Sequence, residues 1–193
     1  EMALLPYTLK SMLRGRQHFA YREAKARFMA GLSDEIRQRT LYRPYFDVPS
    51  SLEDAPWLLK RFPDVQRCTG PLEPHLLGCR LLVLDHAGTT LAQALAANIP
   101  FLLYWNPDRA SFTPEAQSLL DELREVGILH DSPEAAAAKA CDVWGNVAGW
   151  WRKVRPACRA WASQHALVNK DDITHVWKKI LRECSSRGRK SSN

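Results

Sequence analysis

Near the middle of the chain a short apolar run, Leu81-Leu82-Val83-Leu84, leads directly into Asp85-His86-Ala87-Gly88-Thr89-Thr90. These residue types, in this order, can hold a phosphate. A phosphate needs several hydrogen-bond donors converging with little steric bulk, and the first turn of a helix supplies backbone N–H groups at the positive end of its dipole. Gly88 lets the backbone approach a ligand, the hydroxyls of Thr89 and Thr90 add two donors, and His86 contributes a ring N–H or, when protonated, a charge. Gln93, one turn into the helix, is placed to face a ribose bound beside the phosphate. Arg43, at the end of a short predicted strand, can pair with a phosphate or an acidic sugar, or can form an exposed salt bridge. An ordinary strand-to-helix turn capped by threonine produces the same local pattern, and Asp85 then serves turn formation rather than the orientation of His86.

The elements that must position these residues follow from apolar spacing. Four consecutive apolar residues at 81–84 suit a parallel strand buried on both faces. Thr90 to Ala97 presents one apolar face and reads as a helix with Asn98 as its C-cap, and Phe101 to Trp105 forms a second buried strand after Pro100. Such a strand-helix-strand unit requires parallel strands, and a right-handed crossover places the turn after the first strand at the carboxyl edge of the sheet, where open α/β sheets bind ligands. Upstream, Phe19, Ala20, Ala24, Phe28 and Met29 recur at helical spacing over 16–32, with Arg and Lys assigned to the wet side. A short strand at 39–43 follows, then a loop, then a helix opened by Ser51 and Asp54, buried through Trp57, Leu58 and Leu59, and stopped by Pro63. A brief strand over 65–69 and a helical turn over 71–77 precede the central unit. Downstream, Thr113-Pro114-Glu115 and Ser132-Pro133-Glu134 each start a helix, Gly127 ends the first of these, and helices are expected over 134–144, 147–165 and 171–184. Segments 1–38, 39–184 and 185–193 thus read as a helical lead-in that can be the end of an upstream domain, a Rossmann-like domain, and a basic disordered tail.

Composition narrows the class. A chain of 193 residues, 46% hydrophobic and 25% charged, suffices for one substantial core. No stretch reaches the roughly 18 to 20 uncharged apolar residues of a membrane-spanning helix. The five cysteines, Cys68, Cys79, Cys141, Cys158 and Cys184, are odd in number and never in a CxxC arrangement, so neither a disulfide framework nor a zinc knuckle is signalled and a reducing cytoplasm fits. The net charge of +6 is partly concentrated in Arg182, Arg187, Arg189 and Lys190 among serines. The rest reads as a solvated surface with some attraction for anionic ligands. An opening Glu1 without a signal-peptide core suggests a chain that starts further upstream.

The run from Leu81 to Trp105, with its Thr89-Thr90 and Asn98-Ile99-Pro100 elements, resembles the donor-binding segment of transferases encoded in O-antigen and surface-carbohydrate gene clusters. Leu119 to Ser132, ending Gly127-Ile128-Leu129-His130-Asp131-Ser132, the alanine-rich helix after it, the pair Trp150-Trp151, and Arg43-Pro44-Tyr45 upstream extend the likeness over most of 42–165. The resemblance implies the carboxyl-terminal half of a GT-B fold. That half binds the nucleotide-sugar, and the acceptor belongs to the other half. It implies His86, Gly88, Thr89, Thr90, Gln93 and Arg43 as nucleotide-sugar-binding residues. It also implies a glycan or lipid-linked glycan acceptor of the surface polysaccharide or lipopolysaccharide type, and a cytoplasmic location that can extend to the inner face of the membrane through peripheral association. This sequence departs at Gln93, where the family pattern usually has Glu, because a neutral amide accepts more weakly from ribose hydroxyls than a carboxylate.

Sugar transfer needs a stabilised leaving phosphate, which helix N-terminal donors can provide without a metal, and the chain has no Asp-x-Asp motif; neither a cofactor nor a metal is expected. No histidine among His18, His75, His130, His165 and His175 is nominated by spacing as the base for the acceptor hydroxyl, so no catalytic residue is assigned. A noncatalytic nucleotide-binding or interaction domain of the same fold is the alternative. A nucleic-acid binder would draw on the basic balance, but no motif for one is present and nucleic acid is not expected as a partner.

Overall fold

The computed structural model describes residues 16–44, 54–105 and 114–165. Ser51, Thr113, the helix expected over 171–184, Trp177, Cys184 and the 185–193 tail lie outside the described residues. Within them the chain is α/β, with parallel strands flanked by helices and a helical carboxyl-terminal region.

The chain enters on α1 (Arg16–Gly31) and the short α2 (Asp34–Gln38), then β1 (Leu41–Tyr42), α3 (Asp54–Arg61), β2 (Gln66–Arg67) and α4 (Leu72–Gly78). Strands β1 and β2 pair in parallel, Leu41 with Gln66 and Tyr42 with Arg67. The central unit is β3 (Leu82–Leu84), α5 (Thr89–Ala96) and β4 (Phe101–Tyr104), followed by α6 (Pro114–Glu125), β5 (Leu129–His130), α7 (Pro133–Trp144) and α8 (Val147–His165). Strands β3 and β4 are adjacent and parallel in the register Leu82 with Phe101, Val83 with Leu102 and Leu84 with Leu103, as the strand-helix-strand pattern requires. Strand β5 adds a third parallel member beside β4. Its two residues are too few to show an alternating or continuous apolar pattern, so only the ladder to β4 reveals it.

Strand β4 is the middle of this sheet and all four of its residues are buried. Successive strand residues face opposite sides, so β4 divides the core in two. Phe101 and Leu103 join Leu91, Ala94 and Leu95 of α5, Leu119, Leu120 and Leu123 of α6, and Trp151 and Cys158 of α8. Leu102 and Tyr104 join Ala24, Phe28 and Met29 of α1, Leu58 of α3, and Ala136, Ala137 and Ala140 of α7. Helices α5 and α6 share one face, the outcome when successive crossovers of the same hand step across β3, β4 and β5. The other face is covered by α1 and α7. Helix α1 therefore packs into the same core as the sheet.

Local chemistry accounts for the ends of these elements. Ser132 Oγ accepts a hydrogen bond from the Ala135 N–H at 3.1 Å, with Pro133 in the first turn, so α7 starts as its Ser-Pro-Glu sequence predicts. Asn98 adopts φ 54°, the left-handed conformation that ends α5 one residue beyond the Ala97 cap. The alanine-rich face of α7 allows close helix contact: a Cβ on Gly31 would lie 2.8 Å from Ala137 Cβ.

Two expectations for α1 are corrected. Phe19 is 55% exposed rather than buried, with the Arg22 guanidinium 5.1 Å from its ring centre. Lys25, assigned by spacing to the wet side, is only 6% exposed. It points inward because two carboxylates are gathered there, and a charge leaves water only where such partners compensate it.

Candidate functional site

Four segments converge beyond the carboxyl ends of β1 and β3. Tyr21 and Lys25 are four residues apart and so share one face of α1. Tyr42 ends β1, Asp54 opens α3 and Asp85 follows β3. Lys25 Nζ donates to Asp54 Oδ2 at 3.0 Å and to the Tyr42 hydroxyl at 3.3 Å, and stands 3.7 Å from Asp85 Oδ2. The Tyr21 hydroxyl donates to the same Asp85 Oδ2 at 2.6 Å. The other carboxylate oxygen, Asp85 Oδ1, lies 2.8 Å from His86 Nδ1. The outcome is a chain of contacts running from a buried ammonium through a carboxylate to an imidazole.

Each group's charge state follows from its neighbours. Burial works to raise the Asp85 carboxyl, but the Lys25 ammonium and the hydrogen bonds from His86 and Tyr21 outweigh it and hold the group well below the ordinary carboxylate range. Burial likewise works to lower Lys25, and Asp85, Tyr42 and Asp54 together raise it above an ordinary lysine. Tyr21 is raised well above the usual phenol value by burial first and by the Asp85 charge and hydrogen bond next, so its hydroxyl remains a donor. For Tyr42 burial raises the phenol while Lys25 acts in the opposite sense, and the net is upward. At neutral pH the site thus holds one ammonium against ionised Asp85 and its neighbour Asp54, with both phenols protonated.

His86 stands where this network meets the start of α5. A Cβ built on Gly88 would lie 3.0 Å from His86 Nε2 and 3.1 Å from its Cδ2. Gly88 has φ −130° and ψ −164°, an extended conformation open to any residue. A side chain at this position would crowd the imidazole, which borders the space a Cβ would take. Just beyond, the backbone N–H groups of Thr89 and Thr90 open the first turn of α5, where intrahelical acceptors are lacking. Thr89 and Gln93 are four residues apart and both exposed, whereas Leu91, Ala94 and Leu95 turn into the core. His86, Gly88, Thr89, Thr90 and Gln93 therefore lie together along the turn and one helical face.

Arg43 is directed elsewhere. Its guanidinium donates to the Gly70 carbonyl at 2.8 Å and approaches Cys68 Sγ at 3.7 Å, tying the end of β1 to the segment after β2. Its neighbour Tyr42, on the opposite side of the strand, is the residue that reaches the Lys25 network. Trp105 packs half-buried against the α5–α6 side of the core.

Sequence reasoning passed over Tyr21, Lys25, Tyr42 and Asp54. One signal was available: a lysine between Ala24 and Ala26, in line with buried positions of an amphipathic helix, must find an anion. The Trp150-Trp151 pair has a structural role that links it to the Asn98-Ile99-Pro100 turn. Trp151 Nε1 donates to Asn98 Oδ1 at 3.2 Å and its ring packs on Phe101 with centroids 5.6 Å apart. Among the described residues no cluster of three or more His, Cys, Asp or Glu side chains is placed to hold a metal ion, and no helix is long and apolar enough to cross a membrane. The described cysteines are free thiols, with Cys158 pushed up to about 11 by burial.

A family model described as LIC12162 family transferase matches residues 1–181. No curated protein and no solved structure matches the chain.

Proposed function

Because the chain belongs to the LIC12162 family of transferases, we propose that the group it transfers is a glycosyl unit carried by a nucleotide-sugar, and that this chain supplies the donor-binding half of a GT-B architecture. The observation that supports this most is the placement of His86, braced by Asp85, over the glycine that opens α5 at the carboxyl edge of a parallel sheet. The diphosphate of the donor sits at the start of α5, against the N–H groups and hydroxyls of Thr89 and Thr90, and Gln93 reaches the ribose. Attack by an acceptor hydroxyl on the anomeric carbon, with its proton passing to a base of the acceptor-binding half, breaks the bond to the phosphate oxygen, which departs with the electron pair. The helix N-terminus and a protonated His86 Nε2 meet the charge that develops there, and ionised Asp85 stabilises the imidazolium. The acceptor is a surface glycan or a lipid-linked glycan, which brings the reaction to the inner face of the cytoplasmic membrane.

Calorimetry of the full chain with UDP, GDP, ADP, CMP and the corresponding nucleotide-sugars tests this. One nucleotide series should bind, and His86→Ala should weaken it by about tenfold or more, the effect of losing a hydrogen bond to a charged group. Absence of binding across the panel by the folded protein overturns the reading. Binding without transfer or hydrolysis of any sugar, in the protein with its full natural sequence, would favour a noncatalytic nucleotide-binding domain instead.

A further inference from the structure

We propose that Lys25 and Tyr21 are positioning residues that act through Asp85 to fix which nitrogen of His86 faces the start of α5. A carboxylate has two oxygens, and here they are divided between two tasks. Asp85 Oδ2 receives the Tyr21 hydroxyl at 2.6 Å and faces the Lys25 ammonium at 3.7 Å, so it is committed as an acceptor and has no room for a proton. Asp85 Oδ1 is then also an acceptor, and the atom 2.8 Å from it, His86 Nδ1, must carry the hydrogen. In the neutral ring the hydrogen is then on Nδ1 and not on Nε2, and Nε2 lies 3.0 Å from where a Cβ on Gly88, at the head of α5, would stand. When the ring is protonated, the second proton is at Nε2 and Nδ1–H stays in place.

The same arrangement explains why a lysine is buried on a helix that leaves Arg27, two residues on, exposed. Lys25 is 6% exposed and also holds Asp54, so its ammonium is fixed by contacts from α3, β1 and β3 at once. A cation on a flexible surface side chain would hold the carboxylate less firmly, because solvent competes for it and the side chain retains its rotamer freedom. The contacts that Lys25 and Tyr21 make with Asp85 are the route by which they act on the ring.

This inference rests on the reading of His86 as the residue that meets the phosphate, but its test needs no nucleotide. In the uniformly 15N-labelled full chain, long-range proton–nitrogen NMR correlations of the His86 ring, assigned by their loss in His86→Gln, report the tautomer directly. At about pH 9, well above an ordinary histidine, the wild-type ring should be the Nδ1–H form; a predominant Nε2–H form overturns the proposal without any variant. Lys25→Met combined with Asp54→Asn removes one positive and one negative charge, and so avoids leaving two buried carboxylates facing each other. In that protein Asp85 is held less firmly, so the share of the Nε2–H form should rise above that of the wild type, and Tyr21→Phe should raise it by less. An unchanged His86 spectrum in the double variant overturns the proposal and leaves Lys25 as the counter-ion of Asp54 alone. The expected spectra together with no binding across the nucleotide panel would defeat the glycosyltransferase reading and leave the positioning role standing.

Discussion

The Lys25 ammonium lies 3.7 Å from Oδ2 of Asp85, joining the inner face of the first helix to the turn that opens α5. This pair makes stability depend on pH from both sides. The Asp85 carboxyl is held below its ordinary value in the folded state, so the unfolded chain binds the extra proton on acidification. Its contribution is fully present above the unfolded-state value of about 3.9 and is lost as pH falls through the folded value. Lys25 is raised above its ordinary value, so its contribution is present below about 10.4 and is lost as pH rises through the folded value. Urea unfolding midpoints measured across acid pH should fall less steeply in Asp85→Asn than in the wild type. Superimposable acid limbs would mean that the pair does not govern stability.

Removal of Lys25 alone is more severe than removal of the surface pairs. Lys25→Met leaves Asp54 and Asp85 without their shared cation, and breaking such a buried pair costs about 3–5 kcal/mol. Arg39→Met, by contrast, removes a pair whose side chains are 64% and 66% exposed and should scarcely change the urea midpoint. Equal midpoints for the two variants would contradict the burial of Lys25.

At the helix start, Thr89→Val keeps the shape of an exposed side chain and deletes its hydroxyl. Affinity for the nucleotide that binds should drop by about 1.5–3 kcal/mol, the usual contribution of a hydrogen bond to a charged group, with little change in stability. Calorimetry together with thermal melting separates the two effects. Loss of fold with unchanged affinity per folded molecule would make the hydroxyl a structural cap.

Gly88→Ala acts through a different atom. The new Cβ meets the His86 ring at about 3.0 Å, while the backbone at φ −130° tolerates alanine without strain. The ring must shift by about a few tenths of an ångström from its place at the head of α5, so nucleotide binding should weaken, at most by the roughly tenfold expected for His86→Ala. A crystal structure of Gly88→Ala with His86 in its original place and binding intact would refute this.

Gln93→Glu places a carboxylate on the exposed face that Thr89 shares. If that face meets a ribose, the charged acceptor should bind its hydroxyls more tightly than the amide does. The dissociation constants of Gln93→Glu and wild type, compared by calorimetry for a nucleoside diphosphate and for inorganic pyrophosphate, measure this. A gain should appear only where the ribose is present.

The central strand-helix-strand unit was legible in sequence because its signals are local. Four apolar residues at 81–84, one apolar face at 90–97 and another apolar run from Phe101 specify parallel buried strands around a helix, whatever the remainder of the chain does. Ser132-Pro133-Glu134 likewise determined where α7 begins, since a cap needs only residues three positions apart. The run from His86 to Gln93 was recognisable as a strand-to-helix turn for the same reason. Tertiary structure alone decided which side chains support that turn. The burial of Lys25 depends on Asp54 and Asp85, far from it along the chain, and the periodicity of a single helix carries no information about distant anions. Without them a lysine belongs in water, because an unpaired ammonium pays a desolvation penalty that no local contact offsets. Arg43 and Gly88 show the same division. Sequence could name both, but the carbonyl of Gly70 and the ring of His86 determine what each one touches, and those contacts exist only once the strands and helices have packed.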